Sequence, residues 1–208
     1  MLVAASMPLL FVVQQWAGEA SFALAFQPAT LSTGGWWPGL LTSMFLHANW
    51  PHVLMNATGA LAFGAPVARL LPGARGAATY LAFYIACGLV AALGYGLVHP
   101  TSPGLVVGAS GAVFGLMGAA IRLLGRRDGR LRPLTDRRVV TIAAVLMAVN
   151  AGAGLIGLAP GMDGLAIAWE AHAFGFVFGL LTIGFLARFR RRRDAAFDSP
   201  PDPGDPSL

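Results

Sequence analysis

Four polar residues in apolar surroundings could together carry out one kind of chemistry. Ser110 lies in VVGASGAVFGLMGAA between Gly108 and Gly111, His172 lies in WEAHAFGFVFGLL, and His52 and Asn56 lie in FLHANWPHVLMN. A serine hydroxyl is a weak nucleophile until a base within hydrogen-bond reach takes its proton, and histidine titrates near the working pH. The tetrahedral oxyanion that follows attack on a carbonyl needs fixed donors. His52 and Asn56 are four residues apart and share one helical face. An imidazole N–H and an amide NH2 could therefore meet at one point, with the backbone N–H of Ser110 as a third donor. This is the parts list for serine acyl transfer, with Ser110 as nucleophile and His172 as general base. No acid is spaced to orient His172, since Glu170 is only two residues away and faces elsewhere, and Asp163 falls in a loop. The expectation is a Ser–His dyad without a third member.

The elements that hold these residues follow from composition. The chain has 208 residues, 56% of them hydrophobic and 11% charged. A soluble domain carries about 25% charged residues, so this chain cannot cover a globular surface in water. Apolar runs near the length that crosses a bilayer recur along it. The fold class is an all-α membrane protein, since only helices satisfy their own backbone in lipid. Six helices are predicted, at residues 2–18, 51–71, 76–98, 105–124, 138–158 and 169–189. They form one domain, 1–189. The first is the weakest, because Gln14 and Gln15 interrupt it. Residues 190–208 are expected to be a basic and then Pro- and Asp-rich disordered tail.

All fourteen basic residues are arginine, and all fall in, or within a few residues of, the connection between the second and third spans, that between the fourth and fifth, or the end of the sixth. By the positive-inside rule these connections are cytoplasmic, which puts both termini there as well. That distribution explains the net charge of +5 without nucleic acid as a partner. No basic residue precedes the first apolar stretch, so no cleavable signal peptide is expected. The second, fourth and sixth spans then all begin at the non-cytoplasmic face, and the polar residues near their starts share a depth. An ionisable group in a span is costly and is a functional candidate for that reason.

Gly111 and Gly115 on the fourth span, and Gly175 and Gly179 on the sixth, form small-xxx-small faces that let helix backbones come close in lipid. They would let His172 reach Ser110, while Gly108 would leave open backbone for a substrate carbonyl. His47, in the loop leading into the second span, is assigned a structural hydrogen bond. His99, in a Pro-flanked loop, is expected to be solvated. Each residue taken singly has an ordinary packing explanation, and only the combination on three helices points to catalysis. No metal or cofactor is called for: His47 and His52 are five apart and no HExxH occurs. The single cysteine, Cys87, lies in an apolar run, so there is no disulfide framework. A small transporter would want ionisable residues at mid-membrane and not only near one face.

Together and in order, His47-x4-His52-x3-Asn56, Gly108-Ala-Ser110-Gly111 and Ala171-His172-x2-Gly175-x3-Gly179 resemble the rhomboid intramembrane serine proteases. The resemblance runs from about Trp36 to Phe189. It implies a six-transmembrane-helix rhomboid-like bundle, with Ser110 and His172 as the dyad and His52, Asn56 and the Ser110 backbone as the oxyanion site. It also implies an intramembrane serine endopeptidase that acts on transmembrane protein substrates entering sideways from lipid. The alternative is a non-catalytic rhomboid-like protein that binds membrane clients. Two departures are visible. Many relatives carry a Trp-Arg pair ahead of the second span, where this chain has Trp36 and Trp37 without an arginine. Some carry a tyrosine one turn after the serine, where this chain has Phe114, which can still pack on the His172 ring. The Gly-rich connection from Gly157 to Trp169 is a candidate cap over the site. The Arg-only, Ala- and Gly-rich composition suggests a bacterial chain, and hence the plasma membrane.

Overall fold

The computed structural model describes residues 2–125, 130–157 and 168–197, with side chains through residue 188. Among these residues the chain is helical. Six long helices, α1 (Leu2–Ala17), α4 (Trp50–Arg69), α5 (Gly73–Val98), α6 (Ser110–Ile121), α7 (Arg137–Leu155) and α8 (Trp169–Phe197), fall where the six apolar segments were expected. Two single turns, α2 (Thr30–Thr33) and α3 (Gly39–Thr42), lie in the long connection between α1 and α4. Three helices are long and apolar enough to cross a membrane by themselves: α5, α7 and the Trp169–Arg188 part of α8. α8 continues to Phe197, past the expected end at residue 189. The expected disorder of residues 198–208, and most of the candidate cap (158–167), lie outside the described residues.

The helix starts are set locally. Asn49 caps α4 by accepting from the backbone N–H of His52, and Pro51 occupies the first turn, where a missing N–H costs nothing. Asp136 caps α7 by accepting from the N–H groups of Arg138 and Val139.

One start differs from expectation. The fourth helix begins at Ser110 and not at residue 105. Gly108 has φ of 124°, a conformation that breaks a helix and that side chains rarely adopt. Upstream, Val106 pairs in an isolated antiparallel bridge with Phe26. The N–H of Gly108 donates to Ser43 O at 2.9 Å. The segment ahead of Ser110 is therefore extended and tied to the α1–α4 connection, and hydropathy alone does not register such a tie.

α6 is the centre of the bundle. Nine of its 12 residues are buried, and they face α4, α5 and α8. Glycine makes those contacts possible. A Cβ on Gly175 would strike the carbonyl oxygen of Gly111, and one on Gly179 would strike that of Gly115. On the other side, a Cβ on Gly115 would strike Cys87, and one on Gly111 would strike Ala91 of α5. Contacts between α6 and α8 advance in step, from Gly111 with Gly175 to Gly115 with Gly179, so the two helices run parallel. Those of α4 with α6 do likewise, from Gly59 with Val113 to Gly64 with Leu116. α5 runs against them. α7 is peripheral, with only Val139 and Asn150 buried. The N-terminal connection is anchored by Gln14, whose amide donates to His47 O at 2.8 Å and accepts from His47 N–H at 2.9 Å. The glutamine that weakens the first span as a lipid-facing helix is thus buried, with both its amide nitrogen and its oxygen hydrogen-bonded.

The α6–α8 contact has a direct test. Gly179→Ala should destabilise the fold by about 1–3 kcal/mol, because a methyl there cannot avoid the facing backbone. Gly152→Ala in α7, where a Cβ meets nothing within 4 Å, should be neutral or slightly stabilising. Denaturation of both variants in the same detergent checks the contrast, and equal melting would refute the steric account.

Candidate active site

The first residue of α6 and the fourth of α8 meet at one end of the bundle. Ser110 Oγ lies 2.8 Å from His172 Nε2. The other ring nitrogen, Nδ1, lies 2.8 Å from Asn150 Oδ1 of α7. Asn150 Nδ2 in turn donates to Trp169 O at 2.9 Å. The imidazole is also held on its face, with the Phe114 ring stacked on it at 4.3 Å between centroids and 7° between planes. Phe114 is one turn after Ser110, so the helix that presents the hydroxyl also supports the ring bonded to it. The structure brings together Ser110, His172 and Phe114 of the expected set, and adds Asn150.

The space beside Ser110 is lined by α4. The point where a Cβ of residue 108 would sit lies 2.7 Å from His52 Cε1, 2.8 Å from His52 Nε2 and 3.7 Å from Ser110 Oγ. Gly108 thus keeps open a small volume between imidazole and hydroxyl. Ala48 N–H donates to His52 Nδ1 across a long 3.5 Å, an arrangement that leaves Nε2 as the protonated nitrogen toward that volume. Asn56 is buried, and its amide donates to His52 O at 3.0 Å, fixing the side chain while leaving a second N–H. The N-terminus of α6 has no side-chain cap. Its leading N–H groups and the dipole they represent favour negative charge next to Ser110. The Ser110 hydroxyl, the His52 ring and the N-terminal end of α6 therefore border one hollow at Gly108.

Two other histidines depart from expectation. The ring of His47 makes no hydrogen bond, and its backbone makes the structural bonds instead, to Gln14. The imidazole is wholly buried between Phe11 and His52, at 6.5 and 5.2 Å between ring centroids. Burial, and after it the charge on His52, pushes its pKa down to about 3, so it stays neutral. His99 is not simply solvated. Its Nε2 lies 3.0 Å from Glu170 Oε1, and its ring rests on Tyr95. That contact turns Glu170 away from His172. No cluster of His, Cys, Asp or Glu suited to a metal occurs among the described residues.

Residues 33–189 match the family model for the Rhomboid domain. The chain belongs to the rhomboid family. It is 31% identical over 166 residues to the "Putative rhomboid protease YdcA" of Bacillus subtilis (strain 168), covering 78% of this chain and 73% of that protein. It is 32% identical over 157 residues to "Rhomboid-like protein 11, chloroplastic" of Arabidopsis thaliana, covering 74% of this chain and 54% of that one.

Within this rhomboid chain, Asn150 is the site residue that sequence reasoning missed. The signal was a lone amide in the apolar run VVTIAAVLMAVNAGAGL, where a polar group is costly without a partner. Its partner is not visible in sequence, since it lies 22 residues away on another helix. Trp36 and Trp37 are exposed.

Gly108→Ala should damage the site more than the fold. A methyl would meet the His52 ring in a backbone conformation that alanine disfavours, and displacing reacting groups by about 1 Å costs on the order of 10²-fold in rate. The measurement is the rate of Ser110 labelling by a fluorophosphonate, alongside the melting temperature. An unchanged labelling rate would mean that the hollow at Gly108 plays no part.

Proposed function

We propose that this rhomboid is an active intramembrane serine endopeptidase that hydrolyses peptide bonds in or near transmembrane segments of other membrane proteins. The observation that carries the reading is the 2.8 Å contact between Ser110 Oγ and His172 Nε2, which a non-catalytic client-binding relative would have no reason to keep. Ser110 Oγ attacks the scissile carbonyl carbon as its proton passes to His172 Nε2. The oxyanion is taken by the backbone N–H of Ser110, by His52 and by Asn56, in the hollow that Gly108 leaves. The imidazolium then donates its proton to the leaving amine. Water repeats the sequence against the acyl-enzyme, with His172 again as base. No metal or cofactor takes part.

The membrane setting follows from the same elements. The six long helices are read as six crossings, with the short α6 sheltered by α4, α5 and α8. α6 has 12 residues and spans roughly 18 Å at 1.5 Å per residue. With its arginine-bearing end at one interface, Ser110 would lie roughly 12 Å short of the far edge of a ~30 Å hydrocarbon layer. Arg69, Arg75, Arg122 and Arg188 all lie toward the end opposite Ser110 and His172. The site is therefore assigned to the non-cytoplasmic half, with both termini cytoplasmic and the protein multi-pass in a bacterial plasma membrane. A substrate helix must unwind locally to expose its carbonyl, so small or helix-breaking residues near the cleaved bond should favour cleavage.

Ser110→Ala should remove both fluorophosphonate labelling and cleavage of a model transmembrane substrate while the protein stays folded. Cleavage at the normal rate in that variant would falsify the assignment. Asn56→Ala should lower kcat on the order of 10²-fold if its amide is a main oxyanion donor. An unchanged kcat would take Asn56 out of that role.

A further inference from the structure

We propose that Asn150 is a positioning residue that locks His172 in the tautomer whose unprotonated Nε2 faces Ser110. The inference rests on the reading of Ser110 and His172 as nucleophile and base, and it adds a third helix to the machinery.

Donor and acceptor bookkeeping assigns the proton. Trp169 O can only accept, so the Asn150 atom 2.9 Å from it is the amide nitrogen. The amide oxygen must then be the atom that faces His172 Nδ1 at 2.8 Å. A carbonyl oxygen only accepts, so Nδ1 carries the hydrogen. In a neutral imidazole that leaves Nε2 bare, 2.8 Å from Ser110 Oγ, ready to accept the hydroxyl proton. The opposite tautomer would set two lone pairs against each other at Asn150 and aim an N–H at the serine. When the proton leaves Ser110 as its oxygen bonds to the carbonyl carbon, the imidazolium so formed keeps its Nδ1–H on the Asn150 oxygen. Asn150 itself neither gains nor loses a proton.

Two further features place Asn150 in this role. Val139 and Asn150 are the buried residues of α7, a helix otherwise turned outward. Asn150 is the polar one of the two, at 7% exposure. Gly154, one turn further along α7, is where a Cβ would collide with the Trp169 side chain. Its absence lets the start of α8 come close enough for the Trp169 carbonyl to fix the amide.

The full-length protein, labelled with 15N-histidine in detergent, tests this without relying on activity. Its four histidines can be assigned by substitution. Wild-type His172 is expected as the Nδ1–H tautomer, and finding Nε2–H would overturn the proposal whatever the variants do. Asn150→Leu, similar in volume, should mix the tautomers and slow fluorophosphonate acylation of Ser110 by at least about 10-fold, part of what a positioned base contributes. KM for a transmembrane substrate should hardly change. A folded Leu variant with wild-type tautomer and acylation rate would also overturn it.

Asn150→Asp supplies the readout that a packing role would not move. A carboxylate beside Nδ1 stabilises the imidazolium relative to the neutral ring. Because the base must be neutral, the acidic limb of kcat/KM should shift to higher pH, with partial recovery of rate on the alkaline side. An unmoved limb in a folded Asp variant counts against the proposal. If wild-type protein neither labels nor cleaves, the protease reading falls, while the tautomer measurement still decides the role of Asn150.

Discussion

Two helices in this bundle touch backbone to backbone, and the site depends on that contact. In lipid there is no hydrophobic drive to press one helix on another, so close packing must come from shape. Gly175 and Gly179 of α8 sit over the carbonyl oxygens of Gly111 and Gly115 of α6, with no room for a methyl between. The pairs share a register, since 175 − 111 and 179 − 115 are both 64. Ser110 stands one residue before Gly111 and His172 three residues before Gly175, so the same backbone contact brings the first residue of α6 within side-chain reach of the fourth of α8. The short reach of a serine and the fixed arm of a histidine then suffice for a 2.8 Å contact. If side chains held the helices a few ångströms apart, both residues would be present and neither would reach.

The same closeness explains how polar groups persist among apolar helices. A buried donor or acceptor without a partner costs about 1–3 kcal/mol. From the Ser110 hydroxyl through His172 and the Asn150 amide to the Trp169 carbonyl, each polar atom meets its complement. Phe114 covers one face of the ring. The ring of His47 is the exception, being buried with neither nitrogen bonded. Its tie to α1 runs through the backbone, and the imidazole serves as a neutral flat filler between Phe11 and His52.

What sequence could foretell divides along physical lines. Helices and their approximate ends follow from hydropathy, and the glycine pairs follow from spacing, because both are local properties. Ser110 and His172 were legible as polar residues that an apolar span would otherwise exclude. The start of α6 was not, because Gly108 turns the chain and Phe26 and Ser43 hold it extended, and both lie more than sixty residues upstream. Hydropathy sees Val106 and Val107 as helix, whereas tertiary pairing makes them a strap. The consequence is chemical: Ser110 does not sit partway along a helix but at its uncapped N-terminus, where backbone dipoles favour an oxyanion. Gln14 and Asn150 were obscured in the same way. Each is an amide in an apolar run, and only the fold reveals what it bonds.

Why this site should use an amide where many serine hydrolases use a carboxylate can be argued from magnitudes. A carboxylate at the depth of Asn150 would be an ion taken out of water, at a cost of several kcal/mol unless fully paired. The nearby cation that could offset this is His172, which in the proposed mechanism is charged only during the reaction. In the resting state the ion would stand against a neutral ring and against the Trp169 carbonyl, which repels it. An amide avoids that penalty. Its NH2 satisfies the carbonyl and its oxygen satisfies Nδ1–H, so it fixes both the tautomer and the ring angle at no electrostatic cost at rest. It gives up some stabilisation of the imidazolium. In the proposed mechanism the oxyanion and imidazolium form together a few ångströms apart, and in a low-dielectric surrounding they would stabilise each other far more strongly than in water. The carboxylate's contribution is therefore less needed here, and a neutral orienting group is the arrangement that lipid burial favours.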